Sequence, residues 1–260
     1  MTRKRTEEAW AAACIEAALP GVTIKCHDDN SRRSMHDFDL VRDGVVFGAC
    51  EVTTVTDRTA LETWLAPRKA GCWTEPGVAG AWALALTPTC NVNELRRLAP
   101  PLIRRLAADP SDRDATSSLQ ALGVVDYFHS PTTSFPGSIY TTVERAPAMT
   151  GGFESENGDG LVRWFDEWVH TPAQEHNIDK LRAAHRPEAH LFLPFPALSS
   201  APFTAIDVLV RDDGPLPTVA PRMPDGVTHV WFMSMLTAGA VFRWGPSGWE
   251  RSPKPRPPRI

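Results

Sequence analysis

Lysine is scarce in this 260-residue chain: Lys4, Lys25, Lys69, Lys180 and Lys254 are the full set, and arginine supplies the rest of the 27 basic residues. Any chemistry that needs a lysine therefore has few candidates. The five cysteines (Cys14, Cys26, Cys50, Cys72 and Cys90) are widely spaced and form no Cys-x-x-Cys pair. That excludes a zinc ribbon and a disulfide framework, and the thiols are expected to be reduced core residues. No apolar run approaches the ~20 residues that span a bilayer. The longest, Val230 to Phe242, is broken by Ser234 and Gly239. The charged N-terminus has no apolar signal-peptide region, so a soluble, cytoplasmic protein with no membrane partner is expected. An excess of basic charge is missing too: the net charge is −4 and the pI about 6.1. Any contact with nucleic acid must then come from a local patch. A Gly-x-Ser-x-Gly elbow, a Walker loop and a Rossmann glycine fingerprint are all absent, which removes the common hydrolase, nucleotide-binding and dinucleotide-binding signatures.

What is present centres on Met35 to Asp57, reading MHDFDLVRDGVVFGACEVTTVTD. Two alternating runs flank one short turn, the pattern of a β-hairpin. Asp37 and Asp39 share one face of the first arm while Phe38 and Leu40 share the other; on the second arm Glu51 and Thr53 oppose Val46, Cys50 and Val52. The turn decides whether these acids meet, because a one-residue slip moves every side chain to the opposite face. A two-residue type I′ turn at Asp43-Gly44 pairs Arg42 with Val45, sets Asp37 opposite Cys50 and points Glu51 away. A three-residue loop with Gly44 in a G1 bulge pairs Val41 with Val45, sets Asp37 opposite Ala49, and leaves Glu51 diagonal to Asp37 with Cβ atoms roughly 7 Å apart. The second register is the one expected, because it gathers Phe38, Leu40, Cys50 and Val52 on one face and lets two carboxylates grip one hard cation.

The same stretch resembles the PD-(D/E)XK superfamily, the fold of many restriction endonucleases. His36-Asp37 stands where that family has Pro-Asp, and Glu51-Val52-Thr53 stands where it has Glu-x-Lys. The resemblance implies a restriction endonuclease-like core of helix, three-stranded antiparallel meander, helix and parallel strand. It also implies metal-dependent hydrolysis of nucleic-acid phosphodiesters, with prokaryotic defence as one setting, and Mg²⁺ or Mn²⁺ held by Asp37 and Glu51 with Asp39 as a third acid. A first-helix acid, Glu7 or Glu8, sometimes completes such a site. Thr53 departs from the pattern: it replaces the lysine that helps to activate water, and a hydroxyl carries no positive charge. Lys180 is the leading substitute, on a helix that runs into a strand, and Lys25 is the second. Over nearly its full length, with Asn177, Lys180 and Leu181 on a later helix and a Trp-rich end, the chain also resembles a group of actinobacterial proteins without an assigned activity.

Along the chain, helices are expected at 7–19, 59–69, 93–108 (interrupted at Pro100-Pro101), 117–122, 161–169 and 174–184. Strands are expected at 22–26, 80–86, 124–129, 138–143 and 189–195 beside the central hairpin, and a final hairpin at 228–235 and 240–244. Residues 203–210 read as a short helix or strand. The helix at 59–69 between two apolar strands reads as a crossover, with the strand at 80–86 running parallel to that of Glu51. The expectation is an α/β core over 1–150, an α+β extension over 151–250 that continues the same sheet or stands beside it, and a disordered basic Pro-rich tail over 251–260.

Rival chemistries are weaker. His170, His176, His185 and His190 offer no helical i, i+4 pair for zinc. Arg96, Arg97, Arg104 and Arg105 are candidates for phosphate contact, although such pairs usually form the solvated face of a helix. The tryptophans suit base stacking or, more simply, a core. A buried, unpaired Glu51 is costly, so it should have a cation or a hydrogen-bonding partner. Beside the nuclease reading stands an alternative that keeps the fold and loses the chemistry: an inactive nuclease-like module that binds nucleic acid or an unidentified protein partner, which Thr53 favours.

Overall fold

The computed structural model describes residues 6–28, 34–69, 73–131, 134–145, 149 and 155–258. In chain order the helices are α1 (Thr6–Ala18), α2 (Arg58–Lys69), α3 (Val92–Ala108), α4 (Arg113–Ala121), α5 (Asp159–Val169), α6 (Pro172–Ala184) and α7 (Phe203–Val210). The strands are β1 (Val22–Cys26), β2 (Phe38–Arg42), β3 (Val45–Val52), β4 (Ala81–Leu86), β5 (Val124–Ser130), β6 (Ile139–Val143), β7 (Glu188–Phe195), β8 (His229–Ser234), β9 (Ala240–Gly245) and β10 (Gly248–Pro253). The protein is thus mixed α/β. No helix among the described residues is long and apolar enough to cross a membrane.

The chain divides into two units, and the division is not at residue 150. One unit joins 1–56 to 148–260; the other is 57–147. The first is built on a seven-stranded mixed sheet in the order β1-β2-β3-β7-β8-β9-β10, so the C-terminal half does continue the sheet of the central hairpin. β7 is parallel to both β3 and β8, and the remaining pairs are antiparallel. One face is covered by α1, whose Trp10, Ala11, Cys14 and Ile15 pack with Phe38, Leu40, Cys50, Phe192 and Trp231. The other is covered by Leu161, Phe165, Ile178, Leu181, Val208 and Leu209 of α5, α6 and α7 against Ala49, Leu191, Leu193 and Phe232.

The expected crossover from β3 to β4 is corrected here. β4 pairs with β5 and β6 in a separate three-stranded sheet, and the parallel neighbour of β3 is β7. The side chains explain the choice. β7 (EAHLFLPF) is buried at every position after the first, as a strand covered on both faces must be. β4 (AWALAL) alternates alanine with large residues. Its Trp82, Leu84 and Leu86 join Leu95, Ile103 and Leu106 of α3 and Ala115 and Leu119 of α4 in the core of the 57–147 unit. α3 runs straight through Pro100 and Pro101 instead of breaking there.

The hairpin is also corrected. Asp43 (φ 51°) and Gly44 (φ 80°) are both left-handed and Arg42 pairs with Val45, which is the two-residue I′ turn and not the three-residue loop. Asp-Gly supplies the two positive φ angles this turn needs, and its twist matches that of the strands. The register does not then stay in place. Val41 pairs with Val46 but Leu40 with Gly48, so Phe47 is the extra residue of a β-bulge. Beyond it Phe38 pairs with Cys50 and Asp39 with Ala49. Continued by one position, this register sets Asp37 directly across from Glu51.

The C-terminal tail is pinned where disorder was expected. Arg251 to Pro253 belong to β10, Trp10 Nε1 donates to Pro255 O at 2.8 Å, and Lys254 Nζ donates to the carbonyls of Ser234 at 3.0 Å, Leu236 at 2.6 Å and Ala238. A proline-rich composition forbids few ladder contacts when the strand lies at a sheet edge.

Candidate active site

Three elements bring the site together. The bulged hairpin places Asp37 opposite Glu51, and α6 lies over β3 and β7 through its buried Ile178 and Leu181. Lys180 sits next to Leu181 at the margin of that buried face, and its long side chain reaches in to the strand. Its Nζ donates to Glu51 Oε1 at 2.6 Å. Glu51 is only 3% exposed, so a neutral partner would not suffice to hold its charge.

Asp37 sits just before β2. Its Oδ2 accepts a hydrogen bond from Val52 N at 2.7 Å, and its carbonyl accepts one from His27 N at 2.9 Å. The acid is thereby fixed to the strand that carries Glu51. One ammonium does not satisfy both carboxylates. Among the described residues, Glu51 Oε2 is buried with no hydrogen-bond partner, and so is the hydroxyl of Thr53, two residues on.

Electrostatics report the same shortage. Burial, and then the charge of Asp37, push Glu51 up to about 8 despite the opposing pull of Lys180. Burial pushes Asp37 up to about 6, with Glu8 of α1 adding to the effect and the Val52 amide and Lys180 opposing it. A buried and a half-buried acid with a third nearby share one lysine. A hard divalent cation fits this donor set: all of it is carboxylate oxygen, and one oxygen lacks any partner.

The remaining sequence candidates fall elsewhere. Asp39 is turned to two imidazoles, His27 Nδ1 at 2.9 Å and His36 Nε2 at 3.0 Å, with Arg186 Nη2 at 3.8 Å. Lys25 pairs across the ladder with Asp39 and is exposed, so Lys180 and not Lys25 reaches Glu51. The four arginines lie on α3 in the 57–147 unit. Arg96 lies over the Trp73 ring at 5.4 Å, Arg97 is 3.9 Å from Glu94, and Arg105 grips Asp112 with two bonds of 2.9 and 3.0 Å. Arg104 is exposed.

No family model, curated protein or solved structure matches the chain. The carboxylate pair and its lysine are therefore the ground on which a function is read.

His27, His36 and Arg186 come from two strand ends and a helix end and share no motif spacing, so no pattern in the chain marks their meeting. A second polar group lies on the α1 side of the sheet. His190 Nε2 lies 3.0 Å from Glu188 Oε2, its Nδ1 accepts from Trp231 Nε1 at 3.0 Å, and its ring stacks on His229 at 4.3 Å. Burial lowers both imidazoles, His229 to about 4, so these histidines are neutral core residues at neutral pH.

Proposed function

We propose that this protein is a metal-dependent phosphodiesterase acting on nucleic acid, with Asp37 and Glu51 holding Mg²⁺ or Mn²⁺ and Lys180 standing in for the lysine that Thr53 replaces. The observation that carries this reading is the 2.6 Å contact between Lys180 Nζ and Glu51 Oε1. It supplies the one group the hairpin lacks, at the carboxylate where the family resemblance requires it. The element order supports the same reading. α1, the β1-β2-β3 meander, α6 and the parallel β7 follow the helix, meander, helix, strand order of restriction endonuclease-like proteins, with 57–147 inserted after β3.

When bound, the divalent ion supplies charge neutralisation at the scissile phosphate and a lowered pKa for the attacking water. The chain's own groups do the rest. Asp37, fixed by the Val52 amide, and Glu51, fixed by Lys180, orient the carboxylates before any ion arrives, which lowers the cost of assembling the site. The Lys180 ammonium places a positive charge beside the reacting phosphate and offers donors to developing oxygen charge. Thr53 Oγ, buried without a partner, can orient a water by hydrogen bond but supplies no charge. The alternative, an inactive nuclease-like module, rests on the loss of lysine at position 53, and Lys180 weighs against it.

The test is cleavage of supercoiled plasmid, single-stranded DNA and RNA with Mg²⁺, with Mn²⁺ and with EDTA, by wild type and Glu51→Gln. Metal-dependent cleavage of at least one substrate that Glu51→Gln lacks is expected. Equal cleavage by both, or none by either with both ions, removes the enzyme reading and leaves the binding module.

A further inference from the structure

Among the described residues, two groups outside the Asp37–Glu51 pair gather imidazole and carboxylate donors closely enough to hold a metal: His27, His36 and Asp39, and Glu188, His190 and His229, each with donor atoms within 4.8 Å of one another. Tautomer chemistry separates them. In the second group Trp231 Nε1, which can only donate, gives its hydrogen to His190 Nδ1, so the proton of neutral His190 must sit on Nε2 and point at Glu188. That nitrogen has no lone pair for an ion, and the group is a buried hydrogen-bond network. No such donor fixes the first group. His36 Nε2 and His27 Nδ1 each meet an oxygen of Asp39, which only accepts. Each proton in those contacts can move to the ring's other nitrogen and leave a lone pair facing the carboxylate.

We propose that His27, His36 and Asp39 form a binding site for a divalent transition ion of the Zn²⁺ class, separate from the hard-cation pair Asp37 and Glu51. The donor set is two imidazoles and one carboxylate, which suits a borderline ion and leaves positions open for water. The separations of 2.9 and 3.0 Å between Asp39 oxygens and the two nitrogens are hydrogen-bond distances that already gather the three donors to within a few tenths of an ångström of the ~3.3 Å edge of a tetrahedron with bonds of about 2.0–2.1 Å. The imidazoles now lie face to face, with centroids 3.9 Å apart and planes 10° from parallel. Convergence on one ion requires a ring rotation, for which His27, at 29% side-chain exposure, has the room and buried His36 does not. Arg186, 3.8 Å from Asp39 Oδ1, is the outer partner that orients the carboxylate.

The site ties together the end of β1 and the start of β2, the two ends of the connection that delivers Asp37. His27 N already donates to the Asp37 carbonyl, so an ion on His27 and His36 fixes the backbone from which the Asp37 carboxylate projects.

The test titrates the full-length protein with Co²⁺, with Zn²⁺ as competitor. One equivalent of Co²⁺ should bind with visible d–d absorption, without the near-ultraviolet thiolate band that binding at exposed Cys26 would give. His27→Ala should weaken binding at least about 100-fold, since loss of even an outer partner costs about 10–100-fold, whereas Glu51→Gln should leave it in place. X-ray absorption of the Zn²⁺-loaded wild type gives a second measurement that needs no variant: two imidazoles should appear in its outer-shell scattering. No stoichiometric binding, a thiolate band, an oxygen-only shell, unchanged binding by folded His27→Ala, or loss in Glu51→Gln instead would each overturn the proposal.

Discussion

Lys180 and Glu51 are 129 positions apart in the chain and 2.6 Å apart in space. The contact does two things. It gives a buried carboxylate a charged partner, and under the proposed function it stands in for the strand lysine that the PD-(D/E)XK pattern has two residues after the glutamate.

Removing that ammonium should affect rate before it affects fold. Lys180→Ala is expected to slow metal-dependent cleavage by about 100- to 1000-fold, the usual effect of losing one group that stabilises developing oxygen charge. Adding Thr53→Lys in the same chain returns a lysine to the strand and should recover part of the loss, as measured by single-turnover cleavage. Recovery by Thr53→Lys but not by Thr53→Ala separates replacement of charge from relief of packing.

The two acids make stability depend on pH in an unusual direction. Unfolded, Glu51 and Asp37 titrate near 4.5 and 3.8; folded, they are pushed up to about 8 and about 6. Between these limits the folded protein holds protons that the unfolded chain has released, so stability falls as pH rises toward 8. Glu51→Gln should flatten this fall, by an amount on the order of a few kcal/mol. Urea unfolding at pH 5 and pH 8 measures it, and parallel pH slopes in the two proteins would contradict the assignment. Mg²⁺ or Mn²⁺ should raise the wild-type midpoint more at pH 8 than at pH 5, because protons compete for the same oxygens.

Trp231→Phe keeps most of the ring and removes the hydrogen that Trp231 Nε1 gives to His190. His190 is fully buried, and leaving its Nδ1 unsatisfied is expected to cost about 1–3 kcal/mol. Denaturant unfolding reads this together with the packing lost from the fully buried indole, which adds to the same loss. A change of a few tenths would mean that His190 finds another donor.

The tail offers a prediction of opposite sign to its composition. Ending the chain after Pro253 removes the bonds from Lys254 Nζ to the β8–β9 connection and that from Trp10 Nε1 to Pro255. A loss of about 1–3 kcal/mol is expected, against none for a disordered tail.

Periodicity made most elements of both units legible, β10 excepted because its proline- and arginine-rich sequence reads as a tail, and it grouped Phe38, Leu40 and Cys50 on one face and Asp37 and Glu51 on the other. It did not reveal how that grouping is reached. Asp-Gly favours the I′ turn, whose register taken alone separates the acids, and the Phe47 bulge restores their meeting; a bulge has no sequence mark as plain as a turn has. The partner of β3 is not legible in the same way, because a helix followed by an apolar strand looks like a crossover wherever it stands. Only the difference between AWALAL, apolar on one face with alanine on the other, and AHLFLPF, buried on both, distinguishes the insert's strand from the central one. Lys180 was legible as the best of five lysines. The His27–His36–Asp39 group was not, since its members meet only once β1 pairs with β2.

The most direct measurement is the rate of Mn²⁺-dependent plasmid cleavage by wild type and Lys180→Ala side by side, each shown to be folded by circular dichroism. The expected result is cleavage by wild type that EDTA abolishes, with a rate lowered about 100-fold or more in Lys180→Ala. Equal rates in the two proteins would show that Lys180 serves the fold alone, and no cleavage by wild type with either ion would contradict the hydrolase itself.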